Sequence, residues 1–358
     1  MNYNEMRRKT REVTVGNVHI GGFAPISIQS MTNTDTHDKE KTLSQIRALE
    51  NAGCDIVRLA VPDTEAASTF TYLKNQGVKI PLVADIHFDY KIALACVDAG
   101  ADKIRINPGN IGERARVVKV ARACEERGLP IRIGVNSGSL ERSILEKHGA
   151  PTAEALAESA LYHASILEDV GFSNVLISVK ASDVSTMIEA NKILASKTEY
   201  PLHLGVTEAG GERMGSVKSA VGIGSLLSLG IGDTVRVSLT SDPVNEIRAA
   251  KDILSTLDLL PEKRMDIVSC PTCGRTRISL IELLDEFERE VDRLGLRNKA
   301  IKVAFMGCAV NGPGEAREAD IGIAGGVGEA LMFKKGVIVG KVPSDRIVKT
   351  LTEEIERM

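Results

Sequence analysis

Tryptophan is absent from the chain and only 3% of its residues are aromatic. A nucleic-acid surface built on base stacking is therefore excluded, and the interior has to be filled by Val, Ile, Leu and Ala, which suits layered parallel strands. No apolar run approaches the roughly 18 residues needed to span a bilayer. Met1 to Val13 carries Arg7, Arg8, Lys9 and Arg11 without the apolar stretch of a secretory signal. A field of one sign is missing too, since 45 basic and 48 acidic residues leave a formal charge of −3, which draws in neither nucleic acid nor an anionic membrane. Any anion must be held by a local group of cations. The expectation is a cytoplasmic protein with no membrane and no nucleic acid as partner.

What is present is length and apolar content, 358 residues of which 43% are hydrophobic, enough for one large domain and a smaller one without disulfides. From about residue 25 to 257 one theme recurs: a short β-branched run ending in polar or Gly/Pro residues, then a stretch with helical spacing. Eight such runs are visible: Pro25–Thr32, Ile56–Pro62, Pro81–Phe88, Lys103–Gly109, Pro130–Asn136, Asn174–Ser182, Pro201–Gly210 and Asp233–Thr240. Eight β–α units of this length predict an α/β fold of the TIM (β/α)8 barrel type over residues 1–258. The alternative, an open doubly wound sheet, usually has a Gly-rich first turn, and Ser30-Met31-Thr32-Asn33-Thr34 has no glycine. From residue 259 the order changes, and 259–358 reads as a small α+β domain.

Charged residues on barrel strands are costly unless they face the ligand mouth. Here they recur on one face, two apart in Asp85 with His87, Arg105 with Asn107 and Arg236 with Ser238, four apart in Arg132 with Asn136, and singly at Arg58, Lys180 and Glu208. Any one of them could be half of a buried ion pair. Together, five cations converging on one mouth with Asp85 and Glu208 opposite them call for an anion, and several arginine forks suit a diphosphate. Glu208 and Asp85 are then candidates for proton transfer, for holding substrate hydroxyls, or for orienting an arginine.

The six cysteines divide into two sets. Cys54, Cys96 and Cys124 sit among apolar and helical residues and read as small buried hydrophobes. Cys270, Cys273 and Cys308 fall in Gly/Pro-rich turns. Cys-x-x-Cys with a distant third cysteine builds one side of a metal site. The last histidine is His203 and the tail has no fourth cysteine, so a closed zinc site, whether of four cysteines or of three cysteines and a histidine, cannot form within it. Three thiolates leave one iron of a 4Fe–4S cluster open to substrate, with Glu315, after the Asn311-Gly312-Pro313-Gly314 turn, as candidate fourth ligand. A thioredoxin-like redox pair would leave Cys308 unused.

These residues carry a full-length resemblance. Ile28-Gln29-Ser30-Met31-Thr32, Ala84-Asp85-Ile86-His87-Phe88, Ile104-Arg105-Ile106-Asn107-Pro108-Gly109, Gly205-Val206-Thr207-Glu208-Ala209-Gly210, Cys270-Pro271-Thr272-Cys273-Gly274-Arg275 and Met306-Gly307-Cys308-Ala309-Val310-Asn311-Gly312-Pro313-Gly314-Glu315 resemble the bacterial 4-hydroxy-3-methylbut-2-enyl diphosphate synthases of the methylerythritol phosphate route to isoprenoids. The resemblance implies reductive opening of 2-C-methyl-D-erythritol 2,4-cyclodiphosphate, with flavodoxin or ferredoxin as donor and a 4Fe–4S cluster on Cys270, Cys273, Cys308 and Glu315. It implies substrate contacts at Arg58, Arg105, Asn107, Arg132, Asn136, Lys180, Arg236, Ser238 and Asn311, with Asp85 and His87 nearby and Glu208 as the acid. It also implies a homodimer. Chain direction argues the same way, because the eighth helix returns the chain to the face opposite the mouth, and the short linker that follows would have to lead a whole domain back.

Overall fold

The computed structural model describes residues 3–107, 111, 114–309, 314 and 316–358. The chain divides into two compact units, Met1–Leu260 and Pro261–Met358. The first begins with a hairpin, β1 (Val13–Val15) and β2 (Val18–Ile20). Eight parallel strands follow: β3 (Ser27–Met31), β4 (Ile56–Ala60), β5 (Leu82–Ile86), β6 (Lys103–Ile106), β7 (Ile131–Asn136), β8 (Val175–Lys180), β9 (His203–Leu204) and β10 (Thr234–Val235). Their spatial order is β8-β7-β6-β5-β4-β3-β10-β9, and a bridge between Ile177 and Leu202 joins the two ends. This is the closed ring of a TIM barrel, built from all eight of the runs visible in the sequence.

Between the strands lie α1 (Lys39–Asn51), α2 (Ser68–Asn75), α3 (Tyr90–Asp98), α4 (Arg114–Glu126), α5 (Arg142–His148), α6 (Ala153–Glu168), α7 (Val184–Lys197), α8 (Glu212–Ser228) and α9 (Pro243–Thr256). Their starts are chemically marked: the side chains of Asp38, Asp89, Thr152, Asp183 and Asp242 each accept a backbone N–H of the first turn, a cap that contributes about 1 kcal/mol. The strand residues that face these helices, among them Ile28, Leu59, Ala84, Ile104, Ile133, Ile177 and Val235, form one continuous apolar core with them. None of the helices described is long and apolar enough to cross a membrane.

The hairpin was not legible in the sequence, since three-residue strands are too short to show a period. Its alternation is nonetheless strict: Val13, Val15 and Ile20 turn inward onto Ile56, Val83 and Leu176. Ile56 and Leu176 lie at the starts of β4 and β8, so the hairpin closes the N-terminal end of the barrel. Gly16, with φ +57°, permits the tight turn; any side chain there would also meet the Pro81 ring at 2.9 Å.

The second unit is a five-stranded sheet, β11 (Asp266–Ser269), β12 (Lys302–Met306), β13 (Ile321–Gly325), β14 (Glu329–Lys334) and β15 (Val337–Pro343), paired in sequence order. The first three strands are parallel and the last two antiparallel. Helices α10 (Leu280–Arg293) and α11 (Ile347–Glu356) contribute Phe287, Val291, Ile347, Leu351 and Ile355 to a core with Phe305, Ile321 and Ile323. Phe287 and Phe305 are both fully buried, with ring centroids 4.8 Å apart. Phe305→Ala is expected to cost about 3–5 kcal/mol, read by chemical denaturation; a loss under about 1 kcal/mol would mean that this ring is not a centre of the core.

Candidate active site

Strand register decides which side chains enter the barrel, because paired residues in neighbouring parallel strands share a face. Met31 pairs with Arg58, Arg58 with Val83, Asp85 with Arg105, Arg105 with Arg132, Asn136 with Lys180, and His203 with Thr234. The inward set therefore runs Gln29 and Met31, Arg58, Asp85, Lys103 and Arg105, Arg132, Ser178 and Lys180, His203, then Arg236. Most TIM barrels fill this space with branched apolar residues. Here it is filled with cations.

Asp85 is the node of the upper layer. Arg105 Nη1 donates to its Oδ1 at 2.9 Å, while Arg58 Nε lies 3.7 Å and His87 Nε2 3.5 Å from its Oδ2. Burial alone would raise this carboxyl, but Arg58 and Arg105 outweigh it and hold Asp85 well below the usual carboxylate range. Asp85 is a carboxylate at neutral pH, suited to fixing arginines and accepting hydrogen bonds. Arg58 also directs Nε and Nη2 at the Met31 sulfur, at 3.1 and 2.9 Å, a weak acceptor that leaves much of its donor strength unspent.

Arg236 is pinned by a carboxylate that strand-by-strand reading missed. Glu246, from the first turn of α9, receives Arg236 Nη2 at 3.1 Å and Nε at 3.3 Å, Ser30 Oγ at 2.7 Å and the Leu239 amide at 3.1 Å. The signal was present, since Glu246 shares the helical spacing of Ala250, Ile253 and Leu254, all buried. A carboxylate on the apolar face of a helix needs a cation inside the fold.

Other donors find no such partner. Arg132 is fully buried and gives Nη1 to Gln29 Oε1 at 3.0 Å, but its Nε and Nη2 have no hydrogen-bond partner among the described residues; the same holds for Arg105 Nε, Lys103 Nζ and His203 Nε2. Lys103 and His203 also escaped sequence reasoning, Lys103 because it opens its strand and reads as a boundary residue. Two inward glycines make room for the long side chains: a Cβ at Gly134 would stand 2.3 Å from Arg105 Nε, and one at Gly205 2.9 Å from Lys180 Nζ.

Toward the strands' C-terminal ends, Asn107 Nδ2 donates to Ser139 Oγ at 3.0 Å, and Asn136 and Ser238 are half-buried. His87 is half-exposed. Glu208 is exposed in the turn after β9, with φ +52°; a non-glycine residue in the left-handed region is a form of strain that collects at functional sites.

In the second unit the three cysteines follow adjacent parallel strands. Cys270 and Cys273 follow β11, and Cys308 follows β12, whose Phe305 pairs with Ser269. The Gly307 amide donates to Cys270 Sγ at 3.2 Å, which brings the Cys308 turn beside Cys270 and orients that sulfur. The exposed Cys273 thiol is lowered chiefly by the Arg275 backbone amide. By contrast, burial pushes Cys54, Cys96 and Cys124 up to about 12, as inert core thiols require. Asn311 and Glu315 lie outside the described residues. Among the residues described, no three His, Cys, Asp or Glu side chains are drawn together as a metal-holding group. Three free cysteines, Cys273 exposed and Cys270 and Cys308 half-buried, nonetheless suit iron–sulfur ligation by the chemistry of their soft sulfur donors.

The sequence matches the family model described as the GcpE TIM-barrel domain over residues 10–251, and that described as the GcpE protein C-terminal domain over residues 266–357. It is 58% identical to a protein of Ruminiclostridium cellulolyticum, over 98% of each chain. It is 56% identical to one of Caldanaerobacter subterraneus subsp. tengcongensis, over 99% of this chain and 98% of that one. Both relatives are named 4-hydroxy-3-methylbut-2-en-1-yl diphosphate synthase (flavodoxin). Among solved structures, the HPPK-DHPS of Plasmodium falciparum superposes with a TM-score of 0.52 at 12% identity, over 70% of this chain and 50% of that one. The type I 3-dehydroquinate dehydratase of Clostridium difficile does so with a TM-score of 0.50 at 13% identity, over 68% of this chain and 98% of that one. Those two likenesses are of fold alone. Two domain models matched in order, and more than half of all residues shared with relatives over nearly the whole length, make this chain a member of the GcpE family.

Proposed function

We propose that the chain catalyses the reductive dehydroxylation and ring opening of 2-C-methyl-D-erythritol 2,4-cyclodiphosphate to 4-hydroxy-3-methylbut-2-enyl diphosphate, a step of isoprenoid precursor synthesis. Two electrons enter and one oxygen leaves as water. The carrying observation is the set of buried guanidinium donors on Arg105 and Arg132 that have no acceptor among the described residues, inside a barrel where, among those residues, Asp85 and Glu246 are the carboxylates that Arg58, Arg105 and Arg236 meet. A diphosphate supplies the missing acceptors and charge. The names of the relatives point to the same substrate class and to flavodoxin as donor, with ferredoxin the chemical alternative.

In this reading the two units divide the work, residues 1–258 binding substrate and 259–358 holding the cluster. Arg58, Arg105, Arg132, Lys180 and Arg236 clamp the diphosphate, while Asn107, Asn136, Ser238 and Asn311 meet the remaining oxygens. Asp85 keeps two of the arginines aimed and His87 beside it. Glu208, held in its left-handed turn at the mouth, gives the proton to the departing oxygen. Cys270, Cys273, Cys308 and Glu315 hold a 4Fe–4S cluster, which supplies the electrons and an iron not bound to thiolate. Cysteines that are all free accord with a reducing, cytoplasmic setting.

We propose further that the active protein is a homodimer whose sites are shared between chains. The support is chain direction: α9 runs back along the barrel, and the nine residues from Leu257 to Met265 reach at most about 30 Å.

Anaerobic protein with counted iron and sulfide, given the cyclodiphosphate, is expected to form the allylic diphosphate only with reduced donor. Product without reductant would instead mark a Lewis-acid dehydratase, and zinc in place of iron would overturn the cluster assignment. Gly134→Ala drives its new methyl into Arg105 and should raise KM at least tenfold with the protein still folded; an unchanged KM would remove Arg105 from the substrate contacts. Mixed Cys270→Ala and Glu208→Ala protomers, each inactive alone, should regain activity, and a strict absence of recovery would sink the shared site.

A further inference from the structure

Lys103 adds to the barrel's excess charge but is given no contact with substrate in the function proposed above, and it is the most anomalous charge in the barrel. It opens β6 facing inward, is fully buried, and its Nζ has no hydrogen-bond partner. The groups that share the interior with it can be named strand by strand. They are Gln29 on β3, Arg58 on β4, Asp85 on β5, Arg105 on its own strand, Arg132 on β7, Lys180 on β8, His203 on β9 and Arg236 on β10, with Glu246 from α9. Below them the hairpin seats the apolar Val13, Val15 and Ile20. Asp85 is spent on Arg105 and Arg58, and Glu246 on Arg236 and Ser30. Among the described residues that face the interior, no carboxylate is left for Lys103. An ammonium buried without partner or counterion is too costly to keep its proton.

We infer that Lys103 is an uncharged amine in the free barrel and takes a proton from water when an anionic diphosphate binds, so that ligand and proton enter together. This rests on the reading of the barrel as a diphosphate site. Burial, with Arg132 and Arg58 adding to it, places the Lys103 amine well below its ordinary value. His203 and Lys180 are lowered in the same way, so the proton has three possible seats. Lys103, with none of its surface exposed, is favoured over His203, whose Nδ1 lies 3.4 Å from Thr234 Oγ1, and over Lys180, which keeps 6% exposure. The charge gained on Lys103 adds to that of the arginines that hold the anionic ligand. The sign follows from linkage: the bound-state pKa lies above the free-state one, so binding is tightest below the free-state value. It weakens by up to about tenfold per pH unit as pH rises between the two.

The test is calorimetric titration of the cyclodiphosphate into holoenzyme without reductant, in two buffers of different ionisation enthalpy. Each phosphoryl group of this ligand has one strongly acidic hydroxyl, so protons counted near neutral pH belong to the protein. The expectation is uptake of about one proton per ligand, falling by at least half in Lys103→Met and unchanged in the surface control Lys192→Met. Binding without uptake, or uptake that survives Lys103→Met, overturns the inference. Absence of any binding would instead count against the proposed function. For that case, 13C,15N-lysine spectra of the free protein, assigned by Lys103→Met, decide alone: a neutral Nζ at pH 7.5 upholds the uncharged amine, and an ammonium there overturns it. Lys103→Met should fold, since it removes an unsatisfied polar atom from a buried site.

Discussion

The pairing of Asp85 with Arg105 and Arg58 is the constraint on which the rest of the barrel's chemistry depends. Without one internal carboxylate, arginines projecting from adjacent strands would repel each other across a dry interior, and the low dielectric would magnify the repulsion. With it, two guanidinium groups are fixed in direction while retaining free edges. Glu246 does for Arg236 what Asp85 does for the other two, but from a helix, so the strands and the surrounding shell are tied by charge as well as by apolar packing. Each carboxylate is fully committed, and so neither can neutralise Arg132.

A donor left unpaired in a buried site costs about 1–3 kcal/mol. Arg132 alone carries two. The barrel can sustain them because its outer face is a continuous apolar layer against the helices, and stability surplus there is exchanged for readiness at the mouth. The glycines at 134 and 205 belong to the same arrangement: both stand at inward positions where a residue with a side chain would collide with a cation.

Much of this was visible in the chain before any coordinates. Eight strands were legible because short β-branched runs ending in polar or Gly/Pro residues alternated with stretches of helical spacing, and the polar residues spaced along several of them gave the inward face. The hairpin was hidden by its three-residue strands. Glu246 was overlooked because charge was sought on strands alone, and Lys103 because the first residue of a strand carries no periodicity of its own. The cysteine pair and Cys308 were legible by spacing. That Cys270 and Cys308 end neighbouring parallel strands was not, since strand order in the second sheet follows from the packing of Phe287, Phe305 and the last helix rather than from any local motif.

The hairpin across the N-terminal end has a kinetic meaning. With Val13, Val15 and Ile20 seated on Ile56, Val83 and Leu176, the barrel is a vessel with one opening, and everything that arrives must leave the way it came. Substrate and product then exclude each other by occupancy alone. For a barrel that binds the cyclodiphosphate as proposed above, product would compete with substrate for that one opening.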